Sequence, residues 1–225
     1  MPSSPEARQR YWARSHLGWR FITQASPNDG HLAVADLQSA GLVDAVVTQN
    51  VDGLHQAAGT RDVLELHGGL DQVICLGCGA RSPREALDLR LTAANPGFTR
   101  DGRTLRPDGD VDVDEVAGFR VVDCDLCGGS LKPDVVFFGE NVPRERVDRA
   151  FALVEQAGCL LVLGSSLTVM SGYRFVRRAA ALGIPVAIVN QGPTRGDAQS
   201  AVRVDAPLGR VLRALSAGTQ GRMAG

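Results

Sequence analysis

The spacing of apolar residues predicts two helices and a strand at the start of the chain. Residues 5–24 and 29–40 carry apolar side chains at helical intervals, and Asn28 is placed to cap the second helix. Residues 44–49 form a short apolar run rich in β-branched side chains, which indicates a buried strand.

The second half of the chain alternates between short apolar runs and amphipathic stretches. The predicted strands are 159–163, 185–189 and 201–204, and the predicted helices are 145–157, 171–182 and 208–215. Strands separated by helices of this length imply a parallel sheet with helices on both faces. We therefore predict an α/β fold, a Rossmann-like doubly wound sheet, which binds ligands at the carboxyl ends of its strands.

The periodicity collapses between about residues 70 and 135. This stretch holds four of the five cysteines, many glycine, proline and aspartate residues, and no long apolar run. It is therefore predicted to be an inserted module held by something other than a hydrophobic core. The predicted organisation is a Rossmann-like domain at 1–69 and 136–217, the inserted module at 70–135, and a disordered tail at 218–225.

The composition is that of a globular protein with little net charge. Of 225 residues, 44% are hydrophobic and 22% are charged, and the formal net charge is −1. So small a charge argues against direct nucleic-acid binding and against attachment to an anionic membrane. No apolar run approaches the roughly 18 residues that span a bilayer, and residues 1–9 lack the apolar core of a secretory signal. We therefore expect a cytoplasmic, reducing environment, in which cysteines are thiols or metal ligands.

Two CxxC pairs predict a metal site in the inserted module. Cys75 and Cys78 form the first pair, and Cys124 and Cys127 form the second. A spacing of two residues lets both sulfurs of a pair reach one ion, and four thiolates close a tetrahedral shell that is typical of structural zinc. The alternative is a redox-active pair or two disulfides. Cys159 begins an apolar strand and is predicted to be a buried core thiol.

Polar residues follow the strand predicted at 44–49. Gln49, Asn50 and Asp52 fall at its carboxyl end, where a ligand would lie. Their side chains can bond an amide or a ribose hydroxyl. On spacing alone, a strand followed by a capped helix explains them equally well, with Asp52 as a turn residue.

His67 is a candidate general base, because it precedes two glycines and is predicted to lie on an exposed bend. A structural histidine is the alternative. Two turns of small or polar residues, at 164–166 and 190–192, follow successive predicted strands. Such turns admit a phosphate or ribose near a helix N-terminus, and their repetition favours a nucleotide over ordinary strand-to-helix connections.

The motifs taken together resemble the sirtuin family. They are TQNVDGLH at 48–55, ELHG at 65–68, CLGC at 75–78, CDLC at 124–127, LKPDVVFFGE at 131–140, GSSL at 164–167 and IVNQG at 188–192. The resemblance covers about residues 11–215. The stretches 11–19, 131–140 and 165–175, with the long spacer between the cysteine pairs, are most similar to the class that includes the mitochondrial lipoamidase and ADP-ribosyltransferase sirtuins.

This resemblance implies an enzyme that uses NAD to remove acyl groups from protein lysines. The acyl group passes to ADP-ribose, nicotinamide leaves, and His67 acts as base on a ribose hydroxyl. The implied NAD contacts are Gln49, Asn50, Val51 and Asp52 at the nicotinamide ribose, Gly164, Ser165, Ser166, Asn190, Gln191 and Gly192 at the phosphates and adenosine, and Leu208 at the adenine end. The implied substrate-binding residues, which would pair with the peptide as an added strand, are Val135, Val136, Phe137, Phe138 and Gly139. Apart from the resemblance, Val135 to Phe138 is predicted to be a core strand.

The implied partners are acyl-lysine proteins or peptides, and the implied cofactors are NAD and one structural zinc ion. Family members begin with a strand, a Gly-Ala-Gly-x-Ser turn and a flexible cofactor loop, which have no match here. We expect the recorded start to be an internal Met of a longer natural protein; a true truncation with weak or absent activity is the alternative. ADP-ribosyl transfer to protein and a non-catalytic zinc-bearing scaffold are the rival functions. The sequence leaves the oligomeric state open.

Overall fold

The computed structural model describes residues 4–98, 116 and 118–223, and these form two compact units. Unit 1 contains the described residues of Met1–Ser26, Val51–Gly53 and Gly68–Gly139, and unit 2 contains those of Pro27–Asn50, Leu54–His67 and Glu140–Gly225. The helices are α1 (Pro5–Ile22), α2 (Asp29–Ser39), α3 (Leu54–Ala57), α4 (Arg84–Ala94), α5 (Arg144–Gln156), α6 (Met170–Ala181) and α7 (Leu208–Met223). The strands are β1 (Val46–Thr48), β2 (Val63–Glu65), β3 (Gly68–Cys75), β4 (Arg81–Pro83), β5 (Leu131–Val135), β6 (Leu160–Leu163), β7 (Val186–Val189) and β8 (Val202–Val204). Of the helices so described, none has the length and apolar character that a membrane span requires.

Unit 1 is built on a three-stranded antiparallel sheet in the order β4-β3-β5, together with α1 and α4. Trp12 of α1, Val73 of β3 and Leu91 of α4 are almost fully buried in one apolar cluster. The module was predicted to lack a hydrophobic core, and the core that it has depends on α1. The Trp12 indole Nε1–H also donates to the Leu131 carbonyl at 3.3 Å. Helix α1 therefore belongs to unit 1, which differs from the predicted domain boundary at residue 70.

A buried ionic group joins α1 to α4. The Arg84 guanidinium lies 5.4 Å from the centre of the Trp12 ring and 5.1 Å from that of Trp19, and its Nη1 lies 3.5 Å from Asp88. The His16 Nδ1 atom lies 2.6 Å from the same carboxylate. Burial raises the pKa of Asp88, but the hydrogen bond with His16 and the charge of Arg84 outweigh it and leave the pKa below its ordinary value.

Unit 2 has the predicted α/β architecture, with parallel strands only. Strand β1 pairs with β2, and β6 pairs with β7, which pairs with β8. The strands thus form a two-stranded and a three-stranded sheet, and no strand among the described residues pairs with both β1 and β6. One apolar cluster includes Leu66, Phe175 and Ile188, and a second joins α2 to α7.

Local capping explains where two of the helices begin. Ser4 accepts a hydrogen bond from the Ala7 N–H at 3.1 Å, and Pro5 occupies the first position of α1. Asn28 caps α2 as predicted: its side-chain oxygen accepts from the N–H groups of Gly30 and His31 at 2.9 and 3.2 Å.

Three local predictions differ from the structure. Cys159 precedes β6 and is exposed, so it is not the buried core thiol that was predicted. Only Val135 of the predicted core strand at 135–138 belongs to a strand, because β5 occupies Leu131–Val135. Helix α7 continues to Met223, whereas the residues from Gly218 onward were predicted to be disordered. Each residue added to a helix makes one more backbone hydrogen bond, which favours this extension. Residues 224 and 225 lie outside the described part of the chain.

Candidate functional site

The four paired cysteines converge in unit 1. Their sulfur atoms all lie within 4.8 Å of one another. The closest contacts run between the two pairs, at 3.5 Å from Cys75 Sγ to Cys127 Sγ and 3.9 Å from Cys78 Sγ to Cys124 Sγ. Tetrahedral zinc with bonds of about 2.3 Å separates its sulfur ligands by about 3.8 Å, so the geometry fits one ion held by four thiolates.

The electrostatics of the cluster also call for a cation. The backbone N–H of Cys78, followed by that of Gly77, helps to lower the pKa of Cys75 to about 6. The N–H of Gly129 lowers the pKa of Cys127, but the neighbouring thiols outweigh it and raise that pKa to about 12. Four thiolates this close cannot all form without a positive charge among them, and a bound zinc ion supplies that charge.

Gly129 lets the chain turn tightly against two sulfurs. A Cβ at this position would lie 2.9 Å from Cys75 Sγ and 3.1 Å from Cys127 Sγ, closer than side-chain atoms approach one another. The Gly129 N–H donates to Cys127 Sγ at 3.3 Å. The glycine that follows each cysteine pair in the sequence is the signal for such turns, although the particular role of Gly129 was not predicted.

The second polar cluster lies in unit 2 and contains His67 and Gln49. Strands β1 and β2 are parallel and in register, with Thr48 opposite Glu65. Their carboxyl ends therefore lie side by side, and the ladder continues through the Leu66 N–H, which donates to the Thr48 carbonyl at 2.8 Å. This pairing brings together two of the residues that the sequence singled out.

Ser171, which the sequence did not single out, joins these two side chains. The Gln49 Nε2 atom donates to Ser171 Oγ at 2.7 Å, and His67 Nε2 lies 3.2 Å from the same oxygen. Ser171 is 7% exposed and is the second residue of α6. A Cβ on Gly172 would lie 3.0 Å from Gln49 Oε1, so the amide packs directly on the start of this helix.

The surroundings of His67 favour a neutral imidazole. Burial lowers its pKa from the ordinary value of 6.5, a hydrogen bond to the Gln49 backbone opposes this, and the positive charges of Arg146 and Arg174 lower it further. His67 is half-buried, and not fully exposed as the two glycines after it suggested. At pH 7 the ring is therefore uncharged and able to accept a proton.

The turn that follows β6 faces the start of α7. Gly164 has a positive φ of 59°, and a Cβ there would lie 3.3 Å from Leu208 Cδ2. The next residues fold on themselves: Ser165 Oγ accepts from the Leu167 N–H at 3.2 Å, and Ser166 Oγ lies 3.0 Å from Thr168 Oγ1. Two residues predicted to contact NAD, Gly164 and Leu208, are thus neighbours.

The turn after β7 is adjacent to the turn after β6, because these strands are parallel partners. The Asn190 side-chain amide donates to the carbonyls of Gln191 and Gly192, at 2.9 and 3.2 Å. The Gly192 N–H donates to Asp205 Oδ1 at 3.0 Å, and Asp205 was not predicted. The hydrogen bonds hold this turn in one shape at the carboxyl edge of the sheet.

The other predicted contacts are divided between the units. Asn50 is exposed and belongs to unit 2, whereas Val51 and Asp52 belong to unit 1 and are half-buried. The Val51 carbonyl accepts from the Leu70 N–H at 2.9 Å.

Val135 to Gly139 also belong to unit 1, where Val135 ends β5 opposite Gly68. Val136 and Phe137 are half-buried, and Phe138 and Gly139 are exposed. The Phe137 ring lies 5.5 Å from the Tyr11 ring and 4.9 Å from Lys132 Nζ. The five residues predicted to bind substrate thus run from the end of β5 into a turn at Phe138 and Gly139.

Known proteins match nearly all of this chain. The Sir2 family matches residues 2–171. NAD-dependent protein deacetylase 1 of Streptomyces coelicolor is 60% identical over 210 residues, which cover 92% of this chain and 70% of that protein. A structure from work on the structural basis of sirtuin substrate affinity gives a TM-score of 0.75 at 28% identity, covering 93% of this chain and 79% of that one. A complex of Sir2 with a p53 peptide and NAD+ gives 0.70 at 28% identity, covering 96% and 83%.

Proposed function

The chain belongs to the Sir2 family, and from that membership we propose that it removes acyl groups from protein lysines in an NAD-dependent reaction. The acyl group passes to ADP-ribose, and nicotinamide is released. The observation that carries this proposal is the position of His67, which contacts Ser171 and lies beside Gln49 at the carboxyl ends of two parallel strands. This edge of an α/β sheet is where such folds bind nucleotides.

The chain's own residues fit NAD in unit 2. Turns of small or polar residues follow β6 and β7, and Gly164 leaves room beside Leu208 that a side chain would fill. We assign Gly164, Ser165 and Ser166 to the phosphates, and Leu208 to the adenine end. We assign the adenosine half of NAD to Asn190, Gln191 and Gly192. Bound NAD supplies the ribose carbon that the acyl oxygen attacks, with nicotinamide as the leaving group.

His67 is the proposed general base. Its imidazole is neutral at pH 7, because burial and two nearby arginines lower its pKa, so it accepts a proton from a ribose hydroxyl without first losing one. Gln49 and Asn50 are assigned to the nicotinamide ribose. The same role for Val51 and Asp52 remains a prediction. No side-chain nucleophile is required, because the acyl oxygen of the substrate performs the attack.

The proposed substrate is an extended acyl-lysine peptide. Strand β5 is at the edge of its sheet in unit 1, in the order β4-β3-β5. We assign peptide pairing to Val135 through Gly139, since extended peptides add as strands to such edges. The chain resembles the class that includes the mitochondrial lipoamidase sirtuins, and the proposal therefore includes bulky acyl groups such as lipoyl and biotinyl. The zinc ion is structural, since four thiolates leave it no open position.

Nicotinamide release tests the proposal. The purified 225-residue protein is incubated with NAD and with acetyl-, lipoyl- or biotinyl-lysine peptides, and nicotinamide is quantified. We expect peptide-dependent release, and we expect His67→Ala to reduce it by about a hundredfold to ten-thousandfold, the usual contribution of a positioned base. The His31→Ala variant, which changes a helix cap, serves as the control.

Mass spectrometry of the products separates the enzymatic alternatives. Free lysine and O-acyl-ADP-ribose support deacylation, whereas ADP-ribose left on an acceptor protein would replace it with ADP-ribosyl transfer. Absence of release by a folded, zinc-loaded protein that NAD does not stabilise thermally would overturn the proposal in favour of a scaffold.

A further inference from the structure

The environment of Ser171 differs from that of a helix residue on the protein surface. Its hydroxyl is buried at the start of α6 and contacts side chains from two different strands' ends, Gln49 after β1 and His67 after β2. Ser171 is separated from Gln49 by 122 positions in the chain and from His67 by 104. Tertiary folding has therefore built a three-member polar chain that ends on the proposed base.

One arrangement of hydrogens connects the three side chains in a single direction, from Gln49 through Ser171 to His67. The Gln49 Nε2 group can only donate, so Ser171 Oγ accepts from it. A hydroxyl has one hydrogen and two acceptor lone pairs, so Ser171 Oγ can accept from Gln49 and donate its own hydrogen to His67 Nε2, 3.2 Å away. A neutral imidazole carries its proton on one nitrogen only, so in this arrangement Nδ1 is the protonated one.

Gly172 fixes the position of the Gln49 amide, which lies at the other end of this hydrogen-bonded series. The space that a Cβ would occupy on Gly172 lies 3.0 Å from Gln49 Oε1 and 3.3 Å from Gln49 Cδ. Glycine at this position thus lets the amide approach α6 closely enough to donate to Ser171.

From this geometry we propose that Ser171 is a positioning residue, which holds His67 in the tautomer with its proton on Nδ1 and its lone pair on Nε2. During catalysis the ribose hydroxyl would take the place of the Ser171 hydrogen at that lone pair and transfer its proton there. The proposal deepens the proposed function and rests on it for the catalytic consequence. The hydrogen-bond arrangement itself is a property of the folded chain and can be measured without any activity.

Two positively charged side chains near His67 act on its pKa in the same direction as the Ser171 hydroxyl. Arg146 of α5 and Arg174 of α6 both disfavour the imidazolium. Arg174 lies three residues after Ser171, on the same face of the helix. A hydroxyl that donates to Nε2 also favours the neutral ring, so losing the hydroxyl raises the pKa of His67.

Nitrogen-15 NMR of the ligand-free full chain tests the arrangement directly. Long-range proton–nitrogen correlations distinguish the two imidazole tautomers, and His67→Ala identifies which of the four histidine signals belongs to His67. We expect a protonated Nδ1 and an acceptor Nε2 in the unmodified protein, and a mixture of tautomers in Ser171→Ala. A protonated Nε2 in the unmodified protein would overturn the proposal, because Ser171 would then be the acceptor. An unchanged tautomer in Ser171→Ala would overturn it equally.

Kinetics test the catalytic consequence. In Ser171→Ala we expect kcat for acyl-peptide cleavage to fall about tenfold with KM unchanged, the size of effect that one hydrogen bond has on a barrier. The acid limb of the pH–rate profile should move to higher pH. Ser171→Thr, which keeps the hydroxyl, should keep the original limb. An unshifted limb in a folded Ser171→Ala protein contradicts the proposal.

Two further variants guard against misfolding as the explanation. Gly172→Ala leaves Ser171 in place but displaces the Gln49 amide, and it should produce a smaller loss of the same kind. Ser216→Ala removes a hydroxyl from another buried helical serine, 8% exposed, and should leave the limb unchanged. If the unmodified protein releases no nicotinamide, the proposed function fails, and the NMR experiment still decides the role of Ser171.

Discussion

The two units reach a stable fold by different physical means. Unit 2 buries two apolar clusters between parallel strands and helices, with residues such as Ile188 and Leu212 fully buried. Unit 1 has one main cluster, and Cys75 and Cys124, two of the four metal ligands, are members of it. In unit 1 the candidate metal site and the hydrophobic core therefore share residues, whereas the apolar clusters of unit 2 contain none of the four paired cysteines.

This difference explains how chemistry is divided along the chain. Four thiolates around one zinc ion would form a closed shell that leaves no position for a substrate, so an ion bound in unit 1 would stabilise the fold. The polar side chains of unit 2 lie at open strand ends and are held by hydrogen bonds, as His67 is through Ser171. Substitutions in the metal-binding module and in the polar ligand site should therefore have different effects on stability and activity.

Loss of a zinc ligand should have the largest effect. Cys124→Ser removes one thiolate and opens the core to which Cys124 belongs. Because both tryptophans, Trp12 and Trp19, lie in α1 of unit 1, their fluorescence reports on that unit. We expect the fluorescence unfolding midpoint to fall by more than about 10 °C and the zinc content to fall below one ion per chain.

The exposed Cys159 provides a matched control, since Cys159→Ser removes a thiol without touching the cluster. Hydrogen exchange of β7 in unit 2 completes the test. Protection there should survive in Cys124→Ser, because the core around Ile188 contains no metal ligand. Loss of protection in both units together would mean that the metal stabilises the whole chain, and the contrast drawn above would fail.

Substitution of Gly129 should have an intermediate effect confined to unit 1. In Gly129→Ala the added methyl group would press on Cys75 Sγ and Cys127 Sγ, so the shell must distort while keeping all four ligands. We expect zinc affinity to fall on the order of tenfold to a hundredfold, as for other changes just outside a metal shell. Competition with a chromophoric chelator measures the affinity. Gly158→Ala, which places its methyl group in open space, should match the unmodified protein.

The sequence predicted the features that depend on short spacings. The CxxC pairs, the Asn28 cap and the alternation of strands and helices are all local, and the structure contains each of them. The edge shared by Gln49 and His67 was not predicted, because β2 was not among the predicted strands. Residue type and spacing were sufficient where the partners lie within one element.

Features that depend on distant partners were missed. Ser171 meets His67 across 104 positions, and nothing in its own helix marks it as different from other small residues. Trp12 donates to Leu131 across 119 positions, so the assignment of α1 to unit 1 could not be read from the periodicity of α1. An apolar stripe shows that a helix packs on something, but it does not identify the surface on which it packs.

The smallest predicted effect concerns the charge near His67 in unit 2. The positive charge of Arg174 helps to lower the pKa of His67, so Arg174→Gln should raise that pKa. The base must be neutral to act, and activity therefore rises with pH through this pKa, below 6.5 in the unmodified protein. We expect the acid limb of kcat/KM to move upward by less than about one pH unit, since solvent screens a half-exposed charge.

Arg178→Gln is the control for this prediction, because Arg178 lies one turn further along α6 and pairs with Glu155 at 2.7 Å. Its pH profile should coincide with that of the unmodified protein. Neither variant should change the zinc content or the tryptophan unfolding midpoint, since both substitutions lie in unit 2. A shifted limb in Arg178→Gln as large as that in Arg174→Gln would attribute the effect to the overall charge of the helix. An unshifted limb in both variants would mean that burial and the Ser171 hydroxyl set the pKa of His67 without help from the arginines.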